Sequence, residues 1–148
     1  RKGNVPMLNA AIFSLGLLVV CALIHYEFLS ALKVATERIK LIPRRTKLLF
    51  VILGAMASHL LQIALFAAAY FLLRDKFDLG GFGGSFVDAF ASFLYFSAET
   101  YTSLGLGDIC PMGAIRMLAG IEALTGLVMI SWTASFSYLE MTKYWRDV

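Results

Sequence analysis

LLFVILGAMASHLLQIALFAAAYFLL, residues 48 to 73, contains no formally charged side chain. Its only strongly polar members are His59 and Gln62. A helix rises about 1.5 Å per residue and the hydrocarbon core of a bilayer is about 30 Å thick, so a helix over this run is long enough to cross it. The run therefore predicts a membrane-spanning helix.

The composition of the whole chain agrees with a membrane protein. Of its 148 residues, 59% are hydrophobic and only 16% are charged, whereas about a quarter of a soluble domain is charged. Two further apolar runs, Met7 to Leu29 and Ile115 to Met141, predict two more spanning helices. A cleaved signal peptide is the alternative for the first run, but this run is too long for one and no small-residue cleavage site follows it.

Positive charge is concentrated between the first two predicted spans. Residues 31–47 carry one acid, Glu37, and six cations: Lys33, Arg38, Lys40, Arg44, Arg45 and Lys47. By the positive-inside rule this linker is expected in the cytoplasm, with the N terminus outside and the tail 142–148 inside. Two interpretations of Lys33–Lys47 stay open, a topology signal alone or a surface that also contacts anionic lipid.

The segment between the second and third spans predicts a turn and a short helix. Residues 79–84, LGGFGG, are expected to form a flexible extracellular turn. Ser85 and Asp88 have the spacing of a capping box, which would open a helix over 86–101. At about 24 Å this helix is too short and too polar at its end to cross a bilayer comfortably, so we expect it to be re-entrant.

The stretch ETYTSLGLGD, residues 99 to 108, follows this short helix at membrane depth. Non-helical backbone is tolerated there only where it is buried in protein or lines a water-filled cavity. Gly105 and Gly107 permit backbone conformations that other residues resist, so successive carbonyl oxygens can point one way. A row of carbonyl dipoles at the partly negative end of a helix predicts a cation site.

These residues resemble the pore domain of potassium channels. Ser103 to Asp108 matches the family's carbonyl filter, and Glu99 falls at its pore-helix acid. The aromatic pair Tyr95 and Phe96 and the sequence DICP after the filter extend the likeness. Small bacterial channel-like proteins with one additional span before the pore unit are similar to the whole chain.

The resemblance implies an all-α membrane protein with three transmembrane helices, a re-entrant pore helix and a selectivity-filter loop. It implies an additional helix in residues 1–30 and a pore domain over 48–141, with outer helix 48–73, pore helix 86–101, filter 102–108 and inner helix 115–141. Because one filter segment cannot surround an ion, it also implies a homotetramer.

The resemblance also assigns a role to each filter residue. It implies a K⁺-coordinating filter made by Thr102, Ser103, Leu104, Gly105, Leu106 and Gly107, with K⁺ at the carbonyls of Ser103 to Leu106. Glu99 and Asp108 would support the filter as a hydrogen-bonded pair that retains one proton, because burial and a like charge both favour the protonated acid; the alternative is that Asp108 merely faces water at the pore mouth. Leu106 departs from the usual tyrosine, which removes a hydroxyl that could brace the filter.

Two residues of the third span and two of the second leave alternatives open. Glu122 would hydrogen-bond the back of the pore helix permanently, or it would titrate and gate the pore. Gly126 is a candidate hinge or a packing residue. His59 and Gln62 would contact Glu122 or each other, or be satisfied polar groups between helices.

The sequence thus predicts a potassium-preferring channel in a membrane, with the bacterial inner membrane as the expected location. The alternatives are a non-selective cation channel and a non-conducting channel-like subunit. We expect no enzyme, because the chain has no nucleophile–base set, metal cluster or phosphate motif. We expect no cofactor beyond K⁺ as permeant ion, no nucleic-acid partner, and no contact between Cys21 and Cys110.

Overall fold

A computed structural model describes residues 4–39 and 43–145 of the chain. In chain order the elements are α1 (Asn4–Arg38), α2 (Arg44–Asp75), β1 (Gly80–Gly84), α3 (Phe90–Tyr101), β2 (Ile109–Gly113) and α4 (Ile115–Trp145). Three helical stretches are long and apolar enough to cross a membrane: Pro6–Arg38, Thr46–Asp75 and Ile115–Lys143. The predicted helical membrane fold with three spans is therefore confirmed.

The short helix α3 packs against two of the three spans. It contacts both α2 and α4, while α1 packs against α2 and α4 from the other side. The buried aromatic rings concentrate where α2 and α3 meet; Tyr70, Phe93 and Phe96 are at most 4% exposed. Because these contacts fix α3 against α2 and α4, the loop that follows α3 begins at a fixed position.

Residues Gly80–Gly84 of the glycine-rich stretch form a strand, and the expectation of a flexible turn is wrong. Strand β1 pairs antiparallel with β2, in register from Gly80 opposite Gly113 to Gly84 opposite Ile109. A Cβ at Gly80 or Gly84 would lie 2.1 Å from a backbone carbonyl oxygen of the partner segment. The glycines are therefore required by close approach of two backbones and not by flexibility.

The pore helix begins four residues later than the sequence predicts, at Phe90 instead of Phe86. The capping box does not form: Ala89 is the N-cap and makes no side-chain cap hydrogen bond. Asp88 instead accepts hydrogen bonds from the Arg74 guanidinium at 2.9 and 2.8 Å. These charge-assisted bonds are stronger than a neutral cap, and the hydrogen bond from Arg74 lowers the pKa of Asp88 below its ordinary value.

The helices at the basic end of the bundle are longer than predicted. Helix α1 continues to Arg38 through part of the expected linker 31–47, and α4 continues beyond residue 141 to Trp145. Lys47 donates to the Thr36 carbonyl at 2.9 Å, which joins the start of α2 to the end of α1. Residues 40–42 of the predicted linker and 146–148 of the predicted tail lie outside the described residues.

Candidate selectivity filter and its supports

The backbone that follows α3 alternates in handedness. Ser103, Gly105 and Gly107 have φ angles of 57°, 56° and 81°, whereas Leu104 and Leu106 between them do not have positive φ. Alternation of right- and left-handed residues turns successive N–H groups toward one side of the chain. The two glycines adopt these angles freely, while Ser103 does so at a cost of about 1–3 kcal/mol.

Three successive N–H groups of this loop point at Glu99. Leu104 and Gly105 donate to the Glu99 backbone carbonyl at 2.8 and 3.3 Å, and Leu106 donates to the Glu99 carboxylate at 3.1 Å. In a trans peptide the N–H of one residue and the C=O of the residue before it point in opposite directions. The carbonyls of Ser103, Leu104 and Gly105 therefore point away from Glu99.

These three outward carbonyls have no hydrogen-bond donor in the described part of the chain. An unpaired carbonyl at membrane depth requires water or a ligand. Within residues 4–39 and 43–145, no three His, Cys, Asp or Glu side chains cluster to hold a metal ion. The outward backbone oxygens of the loop are groups of the kind that coordinate cations, and they include three of the four predicted K⁺ ligands.

Glu99 and Asp108 both support the loop, but not as the predicted carboxyl pair. The Glu99 carboxylate accepts the hydrogen bond from the Leu106 N–H. The Asp108 carboxylate accepts a separate hydrogen bond from the Tyr95 hydroxyl at 3.3 Å. Asp108 directly precedes β2, and its backbone carbonyl accepts a hydrogen bond from the Ser85 N–H at 2.7 Å. Tyr95 thus holds the outer end of the loop, while Phe96 is packed between Tyr70 and Phe82.

Glu122 joins the inner helix to the pore helix. Its carboxylate oxygens accept hydrogen bonds from Ser97 on α3 and Tyr70 on α2, both at 2.5 Å. Ser97 also contacts the Ile63 carbonyl at 2.8 Å. The Glu122 side chain is fully buried, which favours the structural alternative, because every polar atom of a buried acid needs a partner. Tyr70 and Ser97 were not identified from the sequence.

Gly126 is a packing residue at the end of the pore helix. A Cβ at this position would lie 1.8 Å from the Tyr101 carbonyl oxygen, so the two backbones touch. At Gly120 on the same helix a Cβ would meet nothing within 4 Å. This close approach supports the packing alternative for Gly126, and the hinge stays a prediction.

His59 and Gln62 contact neither Glu122 nor each other directly. Both hydrogen-bond the hydroxyl of Tyr101, the residue that precedes Thr102, at 3.0 Å. The remaining members of this cluster, His25 and Thr133, were not identified from the sequence. Of the cysteines, Cys21 is buried and Cys110 is exposed, and both are free.

A short helix that ends at a loop of outward carbonyls, between two spanning helices, is the arrangement of an ion channel pore domain. The chain belongs to the ion channel family, whose model, described as "Ion channel", matches residues 47–141, more than half of the chain. The predicted membership of the potassium channel pore-domain family is therefore confirmed, and the chain is of a channel class and not an enzyme class. Helix α1 lies outside the matched residues.

The chain is also similar to the inward rectifier potassium channel Kirbac3.1 of Paramagnetospirillum magnetotacticum. The two are 35% identical over 86 residues, which are 57% of this chain and 28% of that protein. The chain thus spans well under two thirds of the curated relative that it matches. No solved structure matches the chain.

Proposed function

We propose that the protein is a channel that passes K⁺ passively through a filter made by residues 103–107. The observation that supports this most directly is the set of three N–H groups held by Glu99, which leaves the carbonyls of Ser103, Leu104 and Gly105 on the opposite side. Carbonyl rings of this kind replace the hydration shell of K⁺. The C-terminal end of α3, which precedes the loop, adds partial negative charge.

The proposed pore is a homotetramer. One protomer presents its carbonyls on one side only, and an ion needs ligands around it, so four copies about a central axis would complete the coordination. Leu104 and Leu106 are 64% and 61% exposed in the single protomer. Apolar side chains at that exposure next to a cation site favour burial against neighbouring copies.

The preference for K⁺ over Na⁺ depends on how well the loop is held without the usual tyrosine. Leu106 has no hydroxyl, but its N–H is fixed by the Glu99 carboxylate, and Tyr95 holds Asp108. These two side-chain contacts from the pore helix substitute for the missing brace. They favour a potassium-preferring filter over a non-selective one.

In the proposed orientation the β1–β2 ribbon lies outside, and the C-terminal ends of α1 and α4 lie in the cytoplasm of a bacterial cell. Lys33, Lys47 and Lys143 lie at one end of the bundle, opposite the ribbon. The positive-inside rule assigns that end to the cytoplasm. We also propose that the cations within Lys33–Lys47 contact anionic lipid of the inner membrane.

The test is current through the purified protein in planar bilayers with K⁺ on both sides, followed by replacement of external K⁺ with Na⁺. A potassium-preferring pore shifts its reversal potential to negative values. A reversal potential that does not move would show a non-selective pore, and silent bilayers would show a non-conducting subunit.

Two glycine substitutions give a matched comparison for this test. A Cβ at Gly105 or at Gly120 meets nothing within 4 Å, but only Gly105 needs a positive φ. Left-handed backbone costs an alanine about 1–2 kcal/mol. We expect Gly105→Ala to lose K⁺ preference while Gly120→Ala keeps it; equal behaviour of the two variants would contradict the filter assignment.

A further inference from the structure

Five buried or half-buried side chains behind the pore helix form a closed ring of hydrogen bonds. The ring joins α1, α2, α3 and α4. Its contacts are Gln62 Nε2 to His25 Nδ1 at 3.2 Å, His25 Nε2 to Thr133 Oγ1 at 3.2 Å, Thr133 Oγ1 to His59 Nε2 at 2.9 Å, His59 Nδ1 to Tyr101 Oη at 3.0 Å, and Tyr101 Oη to Gln62 Oε1 at 3.0 Å.

The orientation of the Gln62 amide, whose Nε2 donates to the Ser58 carbonyl at 3.2 Å, sets the direction of every bond in this ring. Its amide oxygen only accepts, so the Tyr101 hydroxyl must donate to it, and His59 must then donate to Tyr101 from Nδ1. A neutral His59 accepts at Nε2 from the Thr133 hydroxyl, whose oxygen in turn accepts from Nε2–H of His25. His25 accepts at Nδ1 from the Gln62 amide, which closes the ring with both imidazoles neutral and in opposite tautomers.

The ring connects the additional helix α1 to the start of the filter. His25 is fully buried in α1, and α1 lies outside the residues that match the ion channel family. Tyr101 is the last residue of α3, directly before the filter residue Thr102. The Tyr101 backbone packs against Gly126 of α4. The Tyr101 hydroxyl, at the other end of the side chain, is fixed by the ring.

We infer that α1 positions the base of the filter through this ring, with His25 and His59 as positioning residues, and that protonation of either imidazole opens the ring and loosens the filter. The inference rests on the proposed function, because it concerns the same filter.

Protonation conflicts with the ring at defined atoms. A proton on His25 Nδ1 would face the Gln62 NH₂ group, donor against donor, and Gln62 cannot turn its oxygen there without releasing Tyr101. The Ser58 hydroxyl, 3.3 Å from His25 Nδ1, is the acceptor that such a proton would take instead. A proton on His59 Nε2 would displace the Thr133 hydroxyl hydrogen. In both cases the one-way order of donors is lost.

The ring is isolated from other charged groups in the described chain. Within residues 4–39 and 43–145, the hydrogen bonds of the two imidazoles go to Ser58, Gln62, Tyr101 and Thr133 and to no carboxylate. The titratable groups that face the ring from the packed helices are Cys21 on α1, Tyr101 on α3 and Glu122 on α4. Glu122 is already bonded to two hydroxyls, and neither of these bonds involves a member of the ring.

The first test does not depend on current. Nitrogen-15 NMR of the full chain in lipid bilayers at neutral pH distinguishes the two histidine tautomers by their ring-nitrogen shifts. We expect His25 to carry its proton on Nε2 and His59 to carry its proton on Nδ1, with the assignment made from His25→Gln and His59→Asn samples. The same tautomer in both residues, or charged rings at neutral pH, would overturn the ring.

The second test is the pH dependence of K⁺ over Na⁺ permeability as pH falls from about 8 to about 4, a range that extends well below the ordinary histidine pKa of about 6.5. Loss of one net hydrogen bond corresponds to a fall of about fivefold in the population of the held filter. We expect such a fall in the wild type and a flat profile in the double variant His25→Gln with His59→Asn. A wild-type profile in that double variant would refute the positioning role.

Ser14→Ala is the matched control, because Ser14 is a buried hydroxyl on α1 that donates only to its own helix, at the Ala10 carbonyl. It should keep the wild-type pH profile. The effects of His25→Gln and Thr133→Val on permeability should be far from additive, since either change opens the same ring; additive effects would count against it. If the wild type carries no current, the proposed function fails and the positioning role with it, while the tautomers still decide whether the ring exists.

Discussion

Gly126→Ala tests whether the inner helix and the end of the pore helix touch through their backbones. A Cβ at Gly126 would lie 1.8 Å from the Tyr101 carbonyl oxygen and 2.7 Å from its carbonyl carbon. Ordinary contact begins at 3.4 Å. The neighbour is backbone, with no rotamer to change, so α4 must move relative to α3 by more than 1 Å.

Overpacking of this kind costs about 1–3 kcal/mol in a well-packed core. In a chain of this length each kcal/mol corresponds to about 2–4 °C in Tm. Alanine is the better helix former by about 1 kcal/mol in water, which opposes the loss at this position. We therefore expect Gly126→Ala to lower Tm by a few degrees, and the displaced Tyr101 to disturb the filter that begins at the next residue.

The assay is the Tm of the purified protein in detergent micelles, followed by circular dichroism, together with the reversal potential in K⁺ and Na⁺ gradients. Gly120→Ala is the matched control on the same helix, since its Cβ would meet nothing within 4 Å; it should keep or raise Tm. If both variants have the same Tm, the backbone contact is absent. A hinge at Gly126 would instead give altered opening with an unchanged Tm.

Three further predictions concern the acids and the cysteines. Glu122→Gln keeps one acceptor oxygen for the Tyr70 hydroxyl and presents an amide donor to Ser97, whose hydroxyl can donate to the Ile63 carbonyl at 2.8 Å instead; we expect a loss of stability of no more than about 1 kcal/mol in detergent unfolding and a conductance–pH profile like that of the wild type, whereas a lost pH dependence would support gating by this acid. The hydrogen bond from Arg74 lowers the pKa of Asp88. The Arg74–Asp88 pair is therefore fully formed above the ordinary aspartate pKa and is lost as pH falls through the lowered pKa. In Arg74→Gln an NMR titration should find the Asp88 pKa raised toward about 3.9, and an unchanged pKa would contradict the pairing. Cys110 is exposed and Cys21 buried, so a membrane-impermeant maleimide should label the protein in lipid vesicles, and a Cys110→Ser variant should remain unlabelled; labelling of that variant would contradict the burial of Cys21.

Hydropathy was sufficient for the three spans and the short helix between them, because the length of an apolar run and the thickness of a bilayer are both fixed quantities. It could not place the start of α3. The spacing of Ser85 and Asp88 is that of a capping box, but Arg74, at the distant end of α2, takes the Asp88 carboxylate. A local motif was overridden by a stronger charged partner that only the folded chain brings near.

The glycines of the chain show the same limit. Glycine-rich sequence indicates a flexible turn when nothing is known of its neighbours, yet in β1 the glycines let two backbones approach. At Gly105 and Gly107 the sequence correctly indicates unusual backbone conformation, since no packing explains a glycine there. Ser103 carries no such signal, although it adopts the same left-handed conformation, because only the N–H contacts to Glu99 impose it.

Helix α1 shows which sequence signal would have found His25. Its buried positions recur at intervals of three, four or seven residues and are mostly small or polar: Ala10, Ser14, Cys21, His25, Leu29, Leu32 and Thr36. In water a buried face is recognised by its apolar residues, but in lipid the exposed faces are equally apolar, and Leu15, Val19 and Leu23 are more than half exposed. Polar residues in a spanning helix cannot face lipid without cost. In such a helix the small and polar stripe therefore marks the contact surface, and its histidine, His25, lies where α1 meets the hydrogen bonds behind Tyr101.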